Sequence, residues 1–180
     1  MTIIAIDDVL KEPKAYVRDI FDYGFQDVID GDKVFKNIQP RDNSDAFAKF
    51  VKFIFPNYNI IYNFIRQSPL NQEEPNFIHT DEMMGDITVI LYLSKNSPDD
   101  DGTIIYDERY KPLCRLYSKF NRMVAFLSSM PHSRSIPENF GHGEEARLIQ
   151  VIFLKAKTDE QQGSKNEDNS SRSQSGRGVN

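Results

Sequence analysis

The chain has 180 residues, enough for one domain with a buried core, and its 27% of charged residues is typical of ordinary soluble proteins. A net charge of -5 gives no general attraction to nucleic acid or anionic lipid, which argues against both as partners. A single cysteine, Cys114, excludes an intramolecular disulfide, and the sequence lacks a signal peptide and any membrane span, so a cytoplasmic protein is predicted.

The first part of the chain, residues 1–57, is predicted to contain two helices. The first covers about 13–23, because a proline suits the first turn of a helix and Gly24 suits the position just past its end. The second covers about 44–55, with Ser44 as its N-cap. Each helix has apolar residues three and four positions apart, so both are expected to pack on a sheet.

From residue 58 onward the apolar pattern alternates as in extended strands, and turn residues separate the segments. Strands are predicted over 2–6, 33–38, 59–66, 76–80, 86–94, 103–107, 113–117, 122–127, 132–136 and 146–155. Many short strands after two helices predict a mainly β (α+β) fold: a double-stranded β-helix, or cupin-like jelly roll, with the N-terminal helices packed on one sheet.

The domain is predicted to span 1–158, with its core strands over about 58–155. Residues 159–180 are predicted to form a disordered polar tail, because they have too few apolar side chains to offset the entropy of ordering.

Three possible metal ligands are brought together by this predicted fold. His79 and Asp81 alternate in an extended segment, so their side chains point to one face. His132 follows an apolar run where a strand ends, and a jelly roll can bring distant strand ends together. Two histidines and one carboxylate are the ligand set of non-haem Fe(II) oxygenases. Zinc hydrolases place a histidine pair on a helix, which favours iron here.

Other polar residues near the site have simpler interpretations. His142 lies between two glycines and is interpreted as an exposed loop residue, and the acidic run 99–101 as a solvated turn rather than a second metal site. Arg147 opens a largely apolar strand, where an inward charge needs a carboxylate partner, and a guanidinium binds a carboxylate with two parallel hydrogen bonds. Arg134 is the competing candidate for such an anchor, two residues past His132.

In this order, these residues resemble the Fe(II)- and 2-oxoglutarate-dependent dioxygenases, and most of all their prolyl-hydroxylase-like branch. The resemblance covers about residues 58–155 and rests on His79-Thr80-Asp81, the strand 87–95, the turn 101–103, the run 120–126 leading into Pro131-His132-Ser133, and Arg147. It implies that His79, Asp81 and His132 bind Fe(II). It also implies that Arg147 and Tyr92 hold the distal carboxylate of 2-oxoglutarate, the co-substrate used with O₂ to hydroxylate an unactivated C–H bond.

Two features depart from that branch. The spacing from His132 to Arg147 is longer than usual, so residues 137–145 must form a looped-out insertion if Arg147 is the anchor. The branch often has a tyrosine facing the co-substrate from the strand before the metal motif, and here Tyr62, Phe64 and Arg66 alternate at that place without a clear match. The polar segment 67–75 is either a mobile lid over the iron or an ordinary surface loop.

Three kinds of function remain open from the sequence. The branch resemblance implies a hydroxylase acting on a protein or peptide side chain, with proline as the leading example. The same chemistry on a free amino acid, a small metabolite or a nucleobase is the second. The third is a non-catalytic jelly-roll module that keeps a metal for structure or sensing.

Overall fold

The computed structural model describes residues 3–158, and the predicted tail over 159–180 lies outside this range. Within it are two α-helices, α1 (Pro13–Tyr23) and α2 (Ala46–Ile54), and a short 3₁₀ helix over Gly143–Glu145. The ten strands of this range are β1 (Ile4–Ile6), β2 (Gln26–Asp30), β3 (Lys33–Pro40), β4 (Tyr58–Ser68), β5 (Ile87–Tyr92), β6 (Gly102–Tyr106), β7 (Pro112–Tyr117), β8 (Arg122–Leu127), β9 (His132–Arg134) and β10 (Arg147–Ala156). Neither α-helix in this range is long and apolar enough to cross a membrane.

The strands form two antiparallel sheets. The larger sheet has seven strands in the order β1-β8-β5-β10-β4-β3-β2, and the smaller has three in the order β7-β6-β9. The strand β10 lies between β4, the longest strand, and β5. The hairpin of β2 and β3 forms one edge of the larger sheet.

Apolar side chains cover both faces of the larger sheet, because successive residues of a strand point to opposite sides. On the outer face, Val89 and Ile152 pack with residues of the two helices, such as Ile20 and Phe47. On the inner face a second cluster joins both sheets, with these members among others: Ile90, Tyr92, Val124, Phe126, Ile149 and Val151 from the larger sheet and Ile105 from the smaller. The candidate site lies on this inner side.

Both predicted helices are present. In α1, Pro13 occupies the first turn and Gly24 follows the last with a φ of 83°, as predicted. In α2, however, the N-cap is Asp45 rather than Ser44, and its carboxylate accepts a hydrogen bond of 2.7 Å from the Ala48 N–H. Ser44 is unsuited to the role because it lies inside a turn that begins at Asp42, whose carboxylate accepts from the Ser44 N–H at 2.6 Å.

Two strand predictions differ from the structure. The segment 76–80 is not a strand and forms only a single bridge, between His79 and His132. The strand β2 was not predicted, because its residues 26–30 are mostly polar and exposed and show no apolar alternation. Its formation depends on its hairpin partner β3, which no pattern within the segment reveals.

Candidate metal centre

Backbone hydrogen bonds fix the three predicted metal ligands. His79 and His132 exchange two of them, at 3.0 Å from the His79 N–H to the His132 carbonyl and at 2.8 Å in the reverse direction. The Asp81 N–H donates to the carbonyl of Ser128 at 2.8 Å. The connection between β4 and β5 is thereby held against β9 and the turn before it, so residues far apart in sequence meet.

The side chains of these residues converge on one point. Nε2 of His79 lies 3.6 Å from Oδ1 of Asp81, and Nε2 of His132 lies 3.2 Å from Oδ2. Within residues 3–158, this is the group of three metal-binding side chains whose ligand atoms all lie within 4.8 Å of one another. Ligands about 2.1 Å from an octahedral ion are about 3 Å apart when they occupy neighbouring positions. The donor atoms therefore fit a single octahedral ion.

The remaining ring nitrogens are held by carbonyl oxygens. Nδ1 of His79 lies 3.0 Å from the carbonyl oxygen of Phe77, and Nδ1 of His132 lies 3.0 Å from that of Met130. A carbonyl oxygen can only accept, so Nδ1 is the donor in each contact, and in that neutral tautomer Nε2 has a free lone pair for a metal. The sequence did not identify these partners, although each carbonyl belongs to the residue two positions before its histidine.

The carboxylate of Asp81 also has a fixed partner. Oδ2 accepts a hydrogen bond of 3.2 Å from the hydroxyl of Thr88, which lies 2.9 Å from the Ser128 hydroxyl. Thr88 is buried, so its position is set by the packing of β5. Sequence reasoning missed this residue because only the folded chain brings β5 beside the metal motif.

The centre is open on one side. The side chain of His132 is 7% exposed and lies against the ring of Phe126, at 4.8 Å between ring centroids. The side chain of His79 is 40% exposed and lies 5.2 Å from the ring of Phe77. A ligand can therefore approach from the His79 side, while the His132 side is closed by packing.

Arg147 and Tyr92 lie on the inner face of the larger sheet. Tyr92 is opposite Ile149 in the pairing of β5 with β10, and Arg147 is two residues before Ile149, so all three side chains share that face. Tyr92 is fully buried, its hydroxyl lies 2.8 Å from that of Thr103, and burial raises its pKa to about 12. Its hydroxyl is therefore neutral at physiological pH.

The carboxylate partner of Arg147 in the structure is Asp101. Nε of Arg147 donates to Oδ1 of Asp101 at 3.0 Å, and both side chains are almost completely buried. The prediction that residues 99–101 form a solvated turn is wrong for Asp101, whereas Asp99 and Asp100 are exposed. Asp101 directly precedes the buried strand β6, and its inward-facing carboxylate is a counter-charge for the buried Arg147.

Both terminal nitrogens of the competing arginine, Arg134, are engaged elsewhere, whereas its Nε is buried and has no hydrogen-bond partner among the described residues. One terminal nitrogen, Nη1, donates to Glu74 at 3.0 Å and to Asn139, and Nη2 donates to the carbonyl oxygen of Pro137 at 2.9 Å. Glu74 also pairs with Arg66, at 3.1 Å. Among the described residues, no hydrogen bond to Nη1 or Nη2 of Arg147 is found. Arg147 is thus the better candidate to bind an added carboxylate.

The extra residues between His132 and Arg147 form a loop outside the sheets. This loop packs against the segment after β4: the Leu70 N–H donates to the Gly141 carbonyl at 2.7 Å, and Asn139 Nδ2 donates to the Gln72 carbonyl at 2.7 Å. Glu74 lies in the same segment and pairs with Arg66 and Arg134. The role of the segment 67–75 as a mobile lid stays a prediction. His142, in the outer loop, is exposed and is not part of the metal group.

Comparison of the sequence with protein-family models and with curated proteins gives no significant match. The fold, in contrast, is shared with many solved structures. A Trichoplax adhaerens prolyl hydroxylase in complex with a hypoxia inducible factor peptide fragment superposes with a TM-score of 0.62 at 16% identity, covering 90% of this chain and 86% of that one. A Pseudomonas putida prolyl-4-hydroxylase gives 0.56 at 13% identity, with 87% and 93% covered.

Another similar structure is the alpha ketoglutarate dependent non-heme epimerase SnoN from nogalamycin biosynthesis, with a TM-score of 0.56, 10% identity, and coverage of 83% and 76%. These matches confirm the predicted mainly β architecture with its double-stranded β-helix. This chain has the fold of the 2-oxoglutarate- and Fe(II)-dependent oxygenases, and the residues of its candidate metal centre lie together within that fold.

Proposed function

We propose that this protein is an Fe(II)- and 2-oxoglutarate-dependent dioxygenase that hydroxylates an unactivated C–H bond of a protein or peptide side chain. The observation that supports it best is the convergence of two imidazole Nε2 atoms and one carboxylate on a single point that is open on the His79 side. Three protein ligands leave positions around an octahedral ion for a co-substrate and O₂.

The residues present fit both groups. His79, Asp81 and His132 would hold the iron, and Arg147 with Tyr92 would bind the distal carboxylate of 2-oxoglutarate. When bound, iron and co-substrate supply the oxidation of a C–H bond by O₂, with release of succinate and CO₂.

The chain itself orients these groups and excludes water. The carbonyls of Phe77 and Met130 fix the two imidazoles, so both Nε2 atoms face Asp81. The neutral hydroxyl of Tyr92 can donate a hydrogen bond to a carboxylate, since its raised pKa keeps the proton in place. The inner apolar cluster, which includes Phe126, keeps bulk water from the buried side.

The opening of the centre on the His79 side favours a substrate side chain that belongs to a larger molecule. Beside the exposed His79, the ring of Phe77 is 59% exposed and Met83 is 93% exposed. Exposed apolar side chains next to the metal ligands suit a peptide that lies across the surface. Both prolyl hydroxylases described above share this fold, which is consistent with this class. A small-molecule substrate is the second candidate, because a similar TM-score is found for an epimerase from nogalamycin biosynthesis.

Anaerobic addition of Fe(II) and 2-oxoglutarate tests the proposal. The wild-type protein should give the weak visible charge-transfer band of an iron–keto acid chelate and, in air, should form succinate. His79→Ala and Asp81→Ala should abolish both signals because each removes one of three ligands. His142→Ala is the matched control and should retain them, since His142 is exposed and is not part of the group.

A wild-type protein that binds iron but neither chelates 2-oxoglutarate nor forms succinate would instead be a metal-binding module. Mass spectrometry distinguishes the two candidate substrate classes. The protein is incubated aerobically with proline-containing peptides and, in parallel, with the free amino acids. A mass gain of one oxygen in peptides alone supports the proposal, whereas a gain in the free amino acids alone refutes the peptide substrate.

A further inference from the structure

The positive and negative charges of a group of side chains near the inner face do not sum to zero. Arg134 interacts electrostatically with Arg147, Arg66, Glu74 and Asp101, so the group contains three guanidinium groups and two carboxylates, and 3 − 2 leaves one positive charge. The two carboxylate side chains are 6% and 1% exposed. A positive charge held away from water is costly unless an anion pairs with it. Among the three guanidinium side chains, Arg66 is 29% exposed and can be solvated, whereas Arg147 is only 4% exposed, so a ligand carboxylate at Arg147 would pair with the least solvated cation.

The contact between Arg147 and Asp101 uses only part of each group. A guanidinium has five N–H donors in a planar fork, yet here only Nε donates, to Oδ1. Oδ2 of Asp101 is buried and has no hydrogen-bond partner among the described residues. The side-on contact leaves the end of the guanidinium, with Nη1 and Nη2, available for a second carboxylate.

Asp101 is held more rigidly than the arginine that it contacts. Its N–H donates to the Pro98 carbonyl at 3.0 Å, and its own carbonyl accepts from the Ser118 N–H at 2.8 Å. The next residue, Gly102, has a φ of 151°, and a Cβ there would lie 2.2 Å from the Leu116 carbonyl oxygen. The backbone thus sets the place of the Asp101 carboxylate, whereas Arg147 reaches it through a long side chain with several rotatable bonds.

We propose that Asp101 is a positioning residue for co-substrate binding: it holds Nε of Arg147 so that Nη1 and Nη2 face the distal carboxylate of 2-oxoglutarate. This inference rests on the proposed function. It assigns to Asp101 an action through Arg147, without contact to the iron.

The test is a double-mutant cycle on Asp101→Asn and Arg147→Gln. The readout is the dissociation constant of 2-oxoglutarate, from anaerobic titration of the charge-transfer band in Fe(II)-loaded protein. Asp101→Asn should raise this constant about tenfold, the lower end of what loss of an outer partner costs a metal site. In the Arg147→Gln background the same change should have no further effect, because nothing remains to be positioned.

Further readouts separate positioning from general loss of structure. Asp101→Asn should raise the KM for 2-oxoglutarate in succinate formation and leave kcat and the dissociation constant of Fe(II) unchanged. Asp19→Asn is the matched control, since Asp19 pairs with Arg41, 3.6 Å away, and is not part of the charged group. It should change none of these quantities.

If Asp101→Asn does not fold, Asp101→Glu keeps the charge but displaces the carboxylate by one methylene, and the expected weaker binding can still be measured. Unchanged or tighter 2-oxoglutarate binding in either variant overturns the inference. So does an equal loss in the Arg147→Gln background, which would mean that Asp101 acts independently of Arg147. A wild-type protein without the band refutes the proposed function itself, and the inference falls with it.

Discussion

At the scale of single residues, the hydroxyl of Thr88 is expected to hold the carboxylate of Asp81 in place for metal binding. It donates to the metal-facing carboxylate of Asp81 at 3.2 Å, and Thr88→Val removes this bond with almost no change in volume. We expect the affinity for Fe(II) to fall by about 10-fold to 100-fold, as is usual when an outer partner of a ligand is lost. Competition with a chromogenic chelator, without 2-oxoglutarate, measures this affinity for Fe(II).

The matched control for this variant is Thr103→Val. Thr103 is also a buried threonine on a central strand, but its hydroxyl contacts Tyr92 rather than a metal ligand. It should leave Fe(II) affinity unchanged. Equal losses in both variants would show that general packing, and not the bond to Asp81, determines metal affinity.

The sequence identified the residues whose chemistry is unusual, and missed those whose role depends on contact. His79, Asp81 and His132 could be predicted as candidate ligands because few residue types bind iron and His79 and Asp81 lie two positions apart, and the structure brings all three together. Thr88 and Asp101 gave no such signal. A buried threonine is common on any strand, and Asp101 is the last of three consecutive aspartates, of which only the structure shows one to be buried.

At the scale of elements, the pairing of the start of β6 with the end of β7 depends on a glycine, Gly102. Gly102→Ala would place a methyl group 2.2 Å from the Leu116 carbonyl oxygen, at a φ that L-residues rarely adopt. We expect a loss of about 3 kcal/mol or more in the free energy of unfolding, since strained backbone alone costs about 1–3 kcal/mol and a backbone clash adds to it. Urea denaturation followed by circular dichroism measures the change.

Gly31→Ala is the comparison for the glycine substitution. Gly31 has a positive φ of 57° in the turn between β2 and β3, but no atom lies within 4 Å of its added Cβ. Only the conformational cost of about 1–2 kcal/mol should appear. A loss in Gly102→Ala no larger than in Gly31→Ala would contradict the close approach of β6 to β7.

Elements were predicted well where the pattern within a segment decides the structure. The two helices fall into this class, because apolar spacing indicates both of them and a proline and a glycine mark the ends of α1. The connection over 76–80 does not, because whether extended residues form a strand depends on a partner. Within 76–80, only His79 pairs with a strand, at His132.

At the scale of the whole molecule, the proposed iron joins parts of the chain that are distant in sequence. His79 belongs to the connection after β4 and His132 begins β9, and both must be in place for binding. Ligands that bind only the folded state stabilise it by mass action, by about 2.7 kcal/mol at 100 times the dissociation constant. For a protein of this size, that corresponds to a Tm about 5–10 °C higher.

Anaerobic thermal denaturation with saturating Fe(II) and 2-oxoglutarate tests this expectation. Wild type should show the increase, and Asp81→Ala should not, because it lacks a ligand. An equal increase in the variant would mean that the ion binds outside the centre.

The β2–β3 hairpin at the edge of the larger sheet has a consequence for self-association. Ile29 and Val34 are opposite each other there and are 74% and 54% exposed, so the free edge offers apolar side chains and unpaired backbone groups to a second molecule. Asp27, Asp30, Lys33 and Lys36 interrupt this edge with charge. We expect these four charged side chains to oppose strand-to-strand aggregation, and we expect their neutralisation to increase it.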